Sequence, residues 1–208
     1  EEAIKAIEVG IDTVAELKEK GYNVFATGEM GIGNTTTSSA VCSVLLDQSV
    51  EKVTGKGAGL TNKDLEHKIE VIKQSIALNQ VDANDPIDVL SKVGGLDIAG
   101  MVGCYIGGAA LQVPVFIDGF ISSVAALIAI RLIPECAPYL FPSHCSNEPA
   151  GHLILDAIGK EPYILANMCL GEGTGAVMGF TIADYAFKAY WELPSFEQTN
   201  FGTYEELN

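Results

Sequence analysis

The feature that most constrains the fold of this chain is a pattern that recurs four times. A short apolar stretch with strand character runs into a loop of glycine, acidic or hydroxyl residues, and a helical stretch follows. This alternation predicts an α/β fold with a parallel sheet flanked by helices. The four apolar stretches are 23–27, 113–117, 139–142 and 163–167.

Each of these stretches delivers polar residues at its carboxyl end. Ligands of parallel α/β sheets bind outside the carboxyl ends of the strands, so the four loops are expected to line one edge of the sheet. Such convergence is stronger evidence of a site than any single loop. The loops are those around Glu29, Asp118, Ser146 and Glu172.

The loop after the first strand, 27–37, is rich in glycine and includes Gly31 and Gly33. Glycine permits positive φ and lets a ligand approach the backbone, and 34–37 are expected to cap the next helix. The N–H groups at the start of that helix would attract a phosphate. A tight strand-to-helix turn with a good N-cap is the alternative. Glu29 would repel a phosphate unless it faces another part of the ligand, such as a ribose or a base.

A second glycine loop, 53–60, can also wrap an anion. Thr61 or Asn62 is expected to cap a helix that extends to about Asn79. Most lysines of that helix are predicted to lie on its solvated face. Lys68 is the exception that we single out as a candidate anion ligand.

Charge and length narrow the classes of function. The 208 residues include 12 Lys and Arg against 27 Asp and Glu, for a net charge of −15, which argues against a nucleic-acid partner. An anionic small ligand must therefore be held by local features. The length predicts a single α/β domain over 1–208. Its candidate site loops lie near 27–37, 53–68, 117–120, 143–149 and 170–175.

The cysteines and histidines indicate neither disulfides nor zinc. The five cysteines are widely spaced without a CxxC pair, which is typical of reduced cytosolic thiols. Cys145 follows His144, but neighbours in sequence rarely form a nucleophile–base pair. The three histidines are scattered and do not form a zinc pattern.

Residues 98–130 are the only membrane candidate in the sequence. Gln112, Pro114 and Asp118 interrupt this run before it reaches spanning length. We therefore expect a helix of small residues packed against a sheet or a partner subunit, followed by a buried strand.

Six sequence blocks stand in a recognisable order. They are GEMGIGNTTT, TGKGAGL followed by Lys68, DPIDVLSKVGGLDIAG, VPVFIDGF, SHCSNEPAGH and LGEGTGA. Together they resemble the nicotinate-nucleotide:dimethylbenzimidazole phosphoribosyltransferase family, which activates the lower ligand of cobalamin. The resemblance covers nearly the whole chain, and six blocks in one order are far more specific than one glycine-rich loop.

The resemblance implies roles for individual residues. Glu172, in the LGEGTGA block, matches the general base, and Glu29 is implied as a second carboxylate near the same substrate. Asp118 is implied near the base or as an anion beside the ribose, although it can equally cap the helix that starts near Phe120. Phosphate and ribose contacts are implied for Gly31, Gly33, Asn34, Thr35, Thr36, Gly57 and Lys68. Contacts around the base and nicotinate are implied for Asp118, Phe120, Ser146, Leu170, Gly171 and Gly173.

The resemblance also implies an activity and a setting. The family transfers ribose phosphate from nicotinate mononucleotide to a benzimidazole base, giving α-ribazole phosphate and nicotinate. It implies a Rossmann-like α/β sheet, a cytoplasmic homodimer, and no metal or redox cofactor. A non-catalytic module that binds a phosphorylated nucleotide is the rival interpretation.

The chain departs from the family at its beginning. Family members carry a substantial segment ahead of the first helix seen here, including part of the benzimidazole pocket. The sequence leaves three alternatives open: a fragment, a segment supplied as a separate chain, or a shortened relative.

Overall fold

The computed structural model describes residues 1–199, which form nine α-helices and five β-strands. The strands are β1 Phe25–Ala26, β2 Val115–Ile117, β3 Leu140–Pro142, β4 His144–Ser146 and β5 Ile164–Met168. The helices are α1 Glu2–Glu19, α2 Asn34–Leu46, α3 Val50–Val53, α4 Asn62–Asn79, α5 Pro86–Val93, α6 Leu96–Ala110, α7 Phe120–Leu132, α8 Gly151–Ala157 and α9 Thr174–Glu192.

All strand pairs are parallel, which confirms the predicted α/β class. One sheet has the order β1-β2-β3, and a second sheet pairs β4 with β5. Ser143 joins the two sheets, because its N–H donates to Ile117 O and its carbonyl accepts from Ile164 N, both at 3.0 Å. The stretch 143–149 was expected to be a loop, but its first part is strand β4. It pairs with β5 because the extended chain of β3 continues past Ser143.

The two faces of strand β2 separate the core from an exposed groove. Successive strand side chains point to opposite faces, and Val115 and Ile117 enter the main hydrophobic core, which includes most of α7. Phe116 faces the other way and packs edge-on against Phe180 of α9, with ring centroids 4.7 Å apart.

Helix α6 packs closely on both α1 and strand β2 through its glycines and those of α1. A Cβ on Gly10 would lie 2.0 Å from Gly100 O, and a Cβ on Gly108 would lie 2.4 Å from Val115 Cγ2. The small residues of α6 thus pack against the sheet, as the sequence predicted, and also against α1, which the sequence did not indicate. Among residues 1–199, no helix is long enough and apolar enough to cross a membrane.

Helix α9 leaves much of its apolar surface exposed. A groove of about 740 Å³ lies between α9 and the outer face of the sheet, and Phe116 and Phe180 both line it. The exposed fraction is 77% for Tyr190 and 76% for Trp191. The groove extends to the amino ends of β1 and β2, where Val24 and Pro114 line it. It therefore extends away from the carboxyl edge of the sheet, where the candidate site is expected.

Candidate functional site

The first glycine turn connects β1 to α2. Gly33 is the N-cap residue with φ 89°, a left-handed conformation that favours glycine, and Asn34 N–H donates to Gly31 O at 3.1 Å. Within the described residues, no side chain caps this helix. The prediction that 34–37 form the cap is wrong, because Gly33 makes the turn and these residues already belong to α2.

Lys68 lies at the first turn of α2, although it comes from α4. Its Nζ donates to Thr35 Oγ1 at 2.8 Å and to Gly55 O at 3.0 Å, and the residue is only 7% exposed. Burial lowers the pKa of Lys68, and the nearby charge of Glu148 opposes that shift. These bonds use two of the three ammonium donors, so a positive charge with a donor to spare lies beside the positive end of a helix. This is a suitable environment for a phosphate.

The second glycine loop closes over the same place. Gly57 has φ 55°, and a Cβ there would lie 2.8 Å from Thr35 Oγ1. A Cβ on Gly55 would lie 1.9 Å from Glu148 Oε2. Glu148 is therefore part of this site, although the sequence indicated only that its loop, 143–149, belongs to the edge.

A second glycine turn connects β5 to α9 and carries Glu172. Glu172 has φ 64° and Gly173 has φ 79°, so two successive residues are left-handed. The Glu172 side chain is exposed. Asp118 reaches this turn from the end of β2: Oδ2 accepts from Gly173 N and Oδ1 accepts from Ala176 N, each at 3.1 Å.

Asp118 therefore caps α9 and not the helix that follows it. The N-cap residue of α7 is Gly119, and no side chain within residues 1–199 caps that helix. The alternative that Asp118 caps the Phe120 helix is wrong, since its carboxylate points across the sheet edge instead.

The two glycine turns are in backbone contact. A Cβ on Gly28 would lie 2.5 Å from Gly173 N, so only glycine allows this approach. A Cβ on Gly171 would lie 2.8 Å from Glu29 Oε1. The structure thus brings the Glu29 turn and the Glu172 turn together at one edge of the sheet.

Asn34 ties Glu29 to another carboxylate. Its Nδ2 donates to Glu29 Oε2 and, at 2.9 Å, to Asp97 Oδ2, while Gly31 N–H donates to Glu29 Oε2 at 3.2 Å. The amide of Asn34 is therefore engaged with the protein. Asp97, in the first turn of α6, was missed because nothing in its sequence context distinguishes it from an ordinary first-turn acid.

The remaining predicted site residues differ in how exposed they are at the carboxyl edge of the sheet. Leu170 is 61% exposed beside Glu172, whereas Phe120 is 4% exposed and belongs to the hydrophobic core. Ser146 Oγ accepts from Glu148 N at 3.3 Å. Thr36 N–H donates to Gly33 O, and its side chain lines a separate cavity of about 190 Å³.

Comparisons with known proteins agree with this architecture. A family model described as "Phosphoribosyltransferase" matches residues 1–201. The nicotinate-nucleotide–dimethylbenzimidazole phosphoribosyltransferase of Ruminiclostridium cellulolyticum is 54% identical over 206 residues, and that of Acetivibrio thermocellus is 53% identical over 204 residues. The matches cover 99% and 98% of this chain. A crystal structure of CobT from Thermus thermophilus superposes with a TM-score of 0.88 at 30% identity, covering 94% of this chain.

These relatives are longer proteins. The chain spans 58% of the length of each of the two curated relatives and 58% of the Thermus thermophilus chain. Within that span the family model extends from the first residue to residue 201. The chain therefore belongs to the phosphoribosyltransferase family that this model describes.

Proposed function

We propose that the protein containing this chain transfers ribose 5-phosphate from nicotinate mononucleotide to 5,6-dimethylbenzimidazole or a related base. The products are α-ribazole phosphate and nicotinate, in the assembly of the cobalamin lower ligand. The names of the relatives support this choice of substrates. The observation that carries the proposal is the contact of Gly28 with Gly173, which joins the two turns at one site.

In this proposal, the phosphate lies between Lys68 and the first turn of α2. Lys68 is held by Thr35 and Gly55, so its ammonium is fixed before a ligand arrives. A charge-assisted bond from a fixed ammonium is among the stronger interactions available to a phosphate. Gly57 lies close to Thr35 and has no side chain that would occupy the proposed phosphate position.

The ribose and the bases then extend toward the two carboxylates. Nicotinate leaves as its ring nitrogen becomes neutral, so departure needs little acid. The incoming benzimidazole nitrogen must lose its N–H proton, and Glu172 is the proposed general base. Glu29 is the carboxylate proposed to face positive charge that develops on the ribose. Attack on the face opposite the leaving group converts the β-linked nucleotide to the α-linked product.

The remaining implied contacts belong to the same proposal. The phosphate and ribose are proposed to approach the backbone closely at Gly31, Gly33 and Gly57. The bases are proposed to contact Leu170, Gly171 and Ser146. A turnover assay with nicotinate mononucleotide and dimethylbenzimidazole tests the proposal directly. It requires a chain that includes the segment by which the relatives exceed this one.

A non-catalytic role in nucleotide binding is the second candidate. The observation that favours it is the exposure of Glu172, since a general base works best when partly shielded from water. Binding of nicotinate mononucleotide without turnover by the longer chain would support this role and reject the transferase.

We further propose a homodimer in the cytoplasm. The free thiols of the five cysteines fit a reducing compartment. The exposed apolar residues of α9 fit a surface that is covered in the assembled protein. Sedimentation of the longer chain as a monomer over a wide concentration range would reject the dimer.

A further inference from the structure

We propose that Asp118 is a positioning residue, which holds the turn that carries Glu172 instead of contacting the substrate. This inference rests on the proposed function, because it assigns Glu172 the role of general base.

Both oxygens of the Asp118 carboxylate are hydrogen-bonded to the protein. They accept from Gly173 N and Ala176 N, the N-cap and third residues at the start of α9. The residue is 1% exposed, so a base or ribose has little access to it. A buried carboxylate at the positive end of a helix is stabilised by the helix dipole, and it fixes the direction in which the helix begins.

The neighbouring His144 does not form a hydrogen bond with Asp118, so both carboxylate oxygens can accept from the N–H groups of α9. His144, 1% exposed, places Nδ1 4.0 Å from Asp118 Oδ1, too far for a hydrogen bond. Ser143 Oγ donates to Ile117 O at 2.7 Å, so at 3.1 Å it must accept from His144 Nδ1. The Nδ1–H of His144 therefore donates to Ser143 Oγ, and it does not form a hydrogen bond with Asp118.

The same imidazole fixes the position of α9. A Cβ on Gly175 would lie 1.9 Å from His144 Nδ1 and 3.0 Å from Asp118 Oδ1, so the helix backbone rests directly on both side chains. The side chains of Asp118 and His144 thus pack directly against the first turn of α9.

Glu172 needs such support because its backbone is strained. Its φ of 64° is left-handed, a conformation that non-glycine residues rarely adopt without external constraint. The bond from Gly173 N to Asp118 follows Glu172 directly in the chain. Without it, the turn can relax and carry the Glu172 carboxylate away from the reacting proton.

The test compares Asp118→Asn, Glu172→Gln and the double variant in the chain that includes the relatives' extra segment. Asparagine keeps the size but presents an N–H₂ to one backbone N–H. We expect kcat of Asp118→Asn to fall by up to about 100-fold, as small misplacements of catalytic groups do. KM for nicotinate mononucleotide should stay within about twofold, since a group that acts only through Glu172 leaves substrate binding unchanged. Asp12→Asn, a change at an exposed residue of α1, is the matched control and should leave both constants unchanged.

The double variant is decisive. If Asp118 acts through Glu172, then Asp118→Asn should cost little more once Glu172→Gln has removed the base. A double loss equal to the product of the single losses would overturn the inference, as would wild-type kcat in Asp118→Asn. A fully active Glu172→Gln would instead reject the proposed function, and the positioning role with it.

A measurement on the unsubstituted protein tests the inference even if the Asp118 variant does not fold. Hydrogen exchange should show the amides of Gly173 and Ala176 protected, because both are bonded to a buried carboxylate. Exchange of these amides at the rate of open loops would overturn the inference without any substitution.

Discussion

The two glycine turns at the sheet edge have N-cap glycines of the same conformation and differ in the residue before the N-cap and in the charged group beside it: Glu172 is left-handed in the α9 turn, and Ile32 is not in the α2 turn. In each turn, the N-cap glycine is left-handed, with φ 89° at Gly33 and 79° at Gly173. In each turn, the first helical N–H donates to the glycine two residues before the N-cap, at 3.1 Å from Asn34 and 3.2 Å from Thr174. The α9 turn contains the carboxylate of Asp118, whereas the α2 turn has the ammonium of Lys68 beside it.

This difference shows that glycine spacing alone does not determine which turn binds an anion. A helix N-terminus whose own N–H groups already donate to a buried carboxylate, as in α9, has no room for a phosphate, and it repels one. In the α2 turn, the half-buried Glu29 accepts from Gly31 N and the Asn34 side chain, and within residues 1–199 no side chain accepts from the first N–H groups of α2. A helix N-terminus with a buried lysine at its first turn attracts a phosphate. The α2 turn is therefore suited to bind, and the α9 turn is suited to position Glu172.

The largest expected effect is on the α9 turn. Glu172→Gln should lower turnover by roughly 10²- to 10⁴-fold, the usual contribution of a positioned general base, and should barely change nucleotide affinity. Glu29→Gln should cost less, and the double variant should be worse than either if Glu29 can substitute. Steady-state kinetics of the longer chain provide the measurement, with Glu8→Gln, at an exposed residue of α1, as control. Full activity of Glu172→Gln across the pH range would reject Glu172 as the general base and, with it, the contrast between the two turns.

The next largest effect is on the α2 turn. Lys68→Ala should weaken binding of nicotinate mononucleotide by about 1.5 to 3 kcal/mol, since a charge-assisted bond to the phosphate is lost. Binding of free nicotinate, which has no phosphate, should change much less. Calorimetry with both ligands makes the comparison, and Lys63→Ala, an exposed lysine of the same helix, is the control. Equal losses for the two ligands would remove Lys68 from the phosphate site.

The sequence predicted the elements well and the partners of the site residues poorly. Helix α4 begins as expected at Asn62, with Thr61 Oγ1 accepting from Asp64 N at 3.2 Å, because a cap is a local interaction. The capping of α9 by Asp118 joins residues 55 apart in the chain. Asn34 and Asp97 are 63 apart. Periodicity and local motifs do not encode such contacts, since they depend on how whole elements pack.

Substituting the two N-cap glycines tests whether the two N-cap positions are equivalent in backbone strain. Gly33→Ala and Gly173→Ala should each destabilise the fold by about 1 to 2 kcal/mol, because both place a Cβ in a left-handed residue. The surroundings add little: among residues 1–199, no atom lies within 4 Å of a Cβ on Gly33, and the nearest atom to a Cβ on Gly173 is 3.6 Å away.

Gly100→Ala, within helix α6, is the matched control, since in the described part of the chain its Cβ would meet only Ala6 O, at 3.9 Å. It should be neutral or slightly stabilising. Chemical denaturation measures all three variants. A much larger loss at one turn than at the other would show that the two N-cap positions are not equivalent.

The smallest effect is a pH dependence of stability from His144, beneath the α9 turn. Burial lowers its pKa below the ordinary 6.5, although Asp118 opposes the shift. Below pH 6.5 the unfolded chain therefore binds more protons than the folded one, and stability falls as pH falls. His144→Asn should flatten the curve of unfolding free energy against pH in this window. His67→Asn, at an exposed histidine, should leave the slope unchanged; an unchanged slope in His144→Asn would contradict the assignment.

The most direct test of the division between the two turns is a titration with inorganic phosphate followed by amide chemical shifts. We expect saturable shifts at residues 31–37 and Gly57, abolished by Lys68→Ala, with the amides of Gly173 and Ala176 unmoved because Asp118 already holds them. Saturable shifts at Gly173 and Ala176, with none at residues 31–37, would contradict this division.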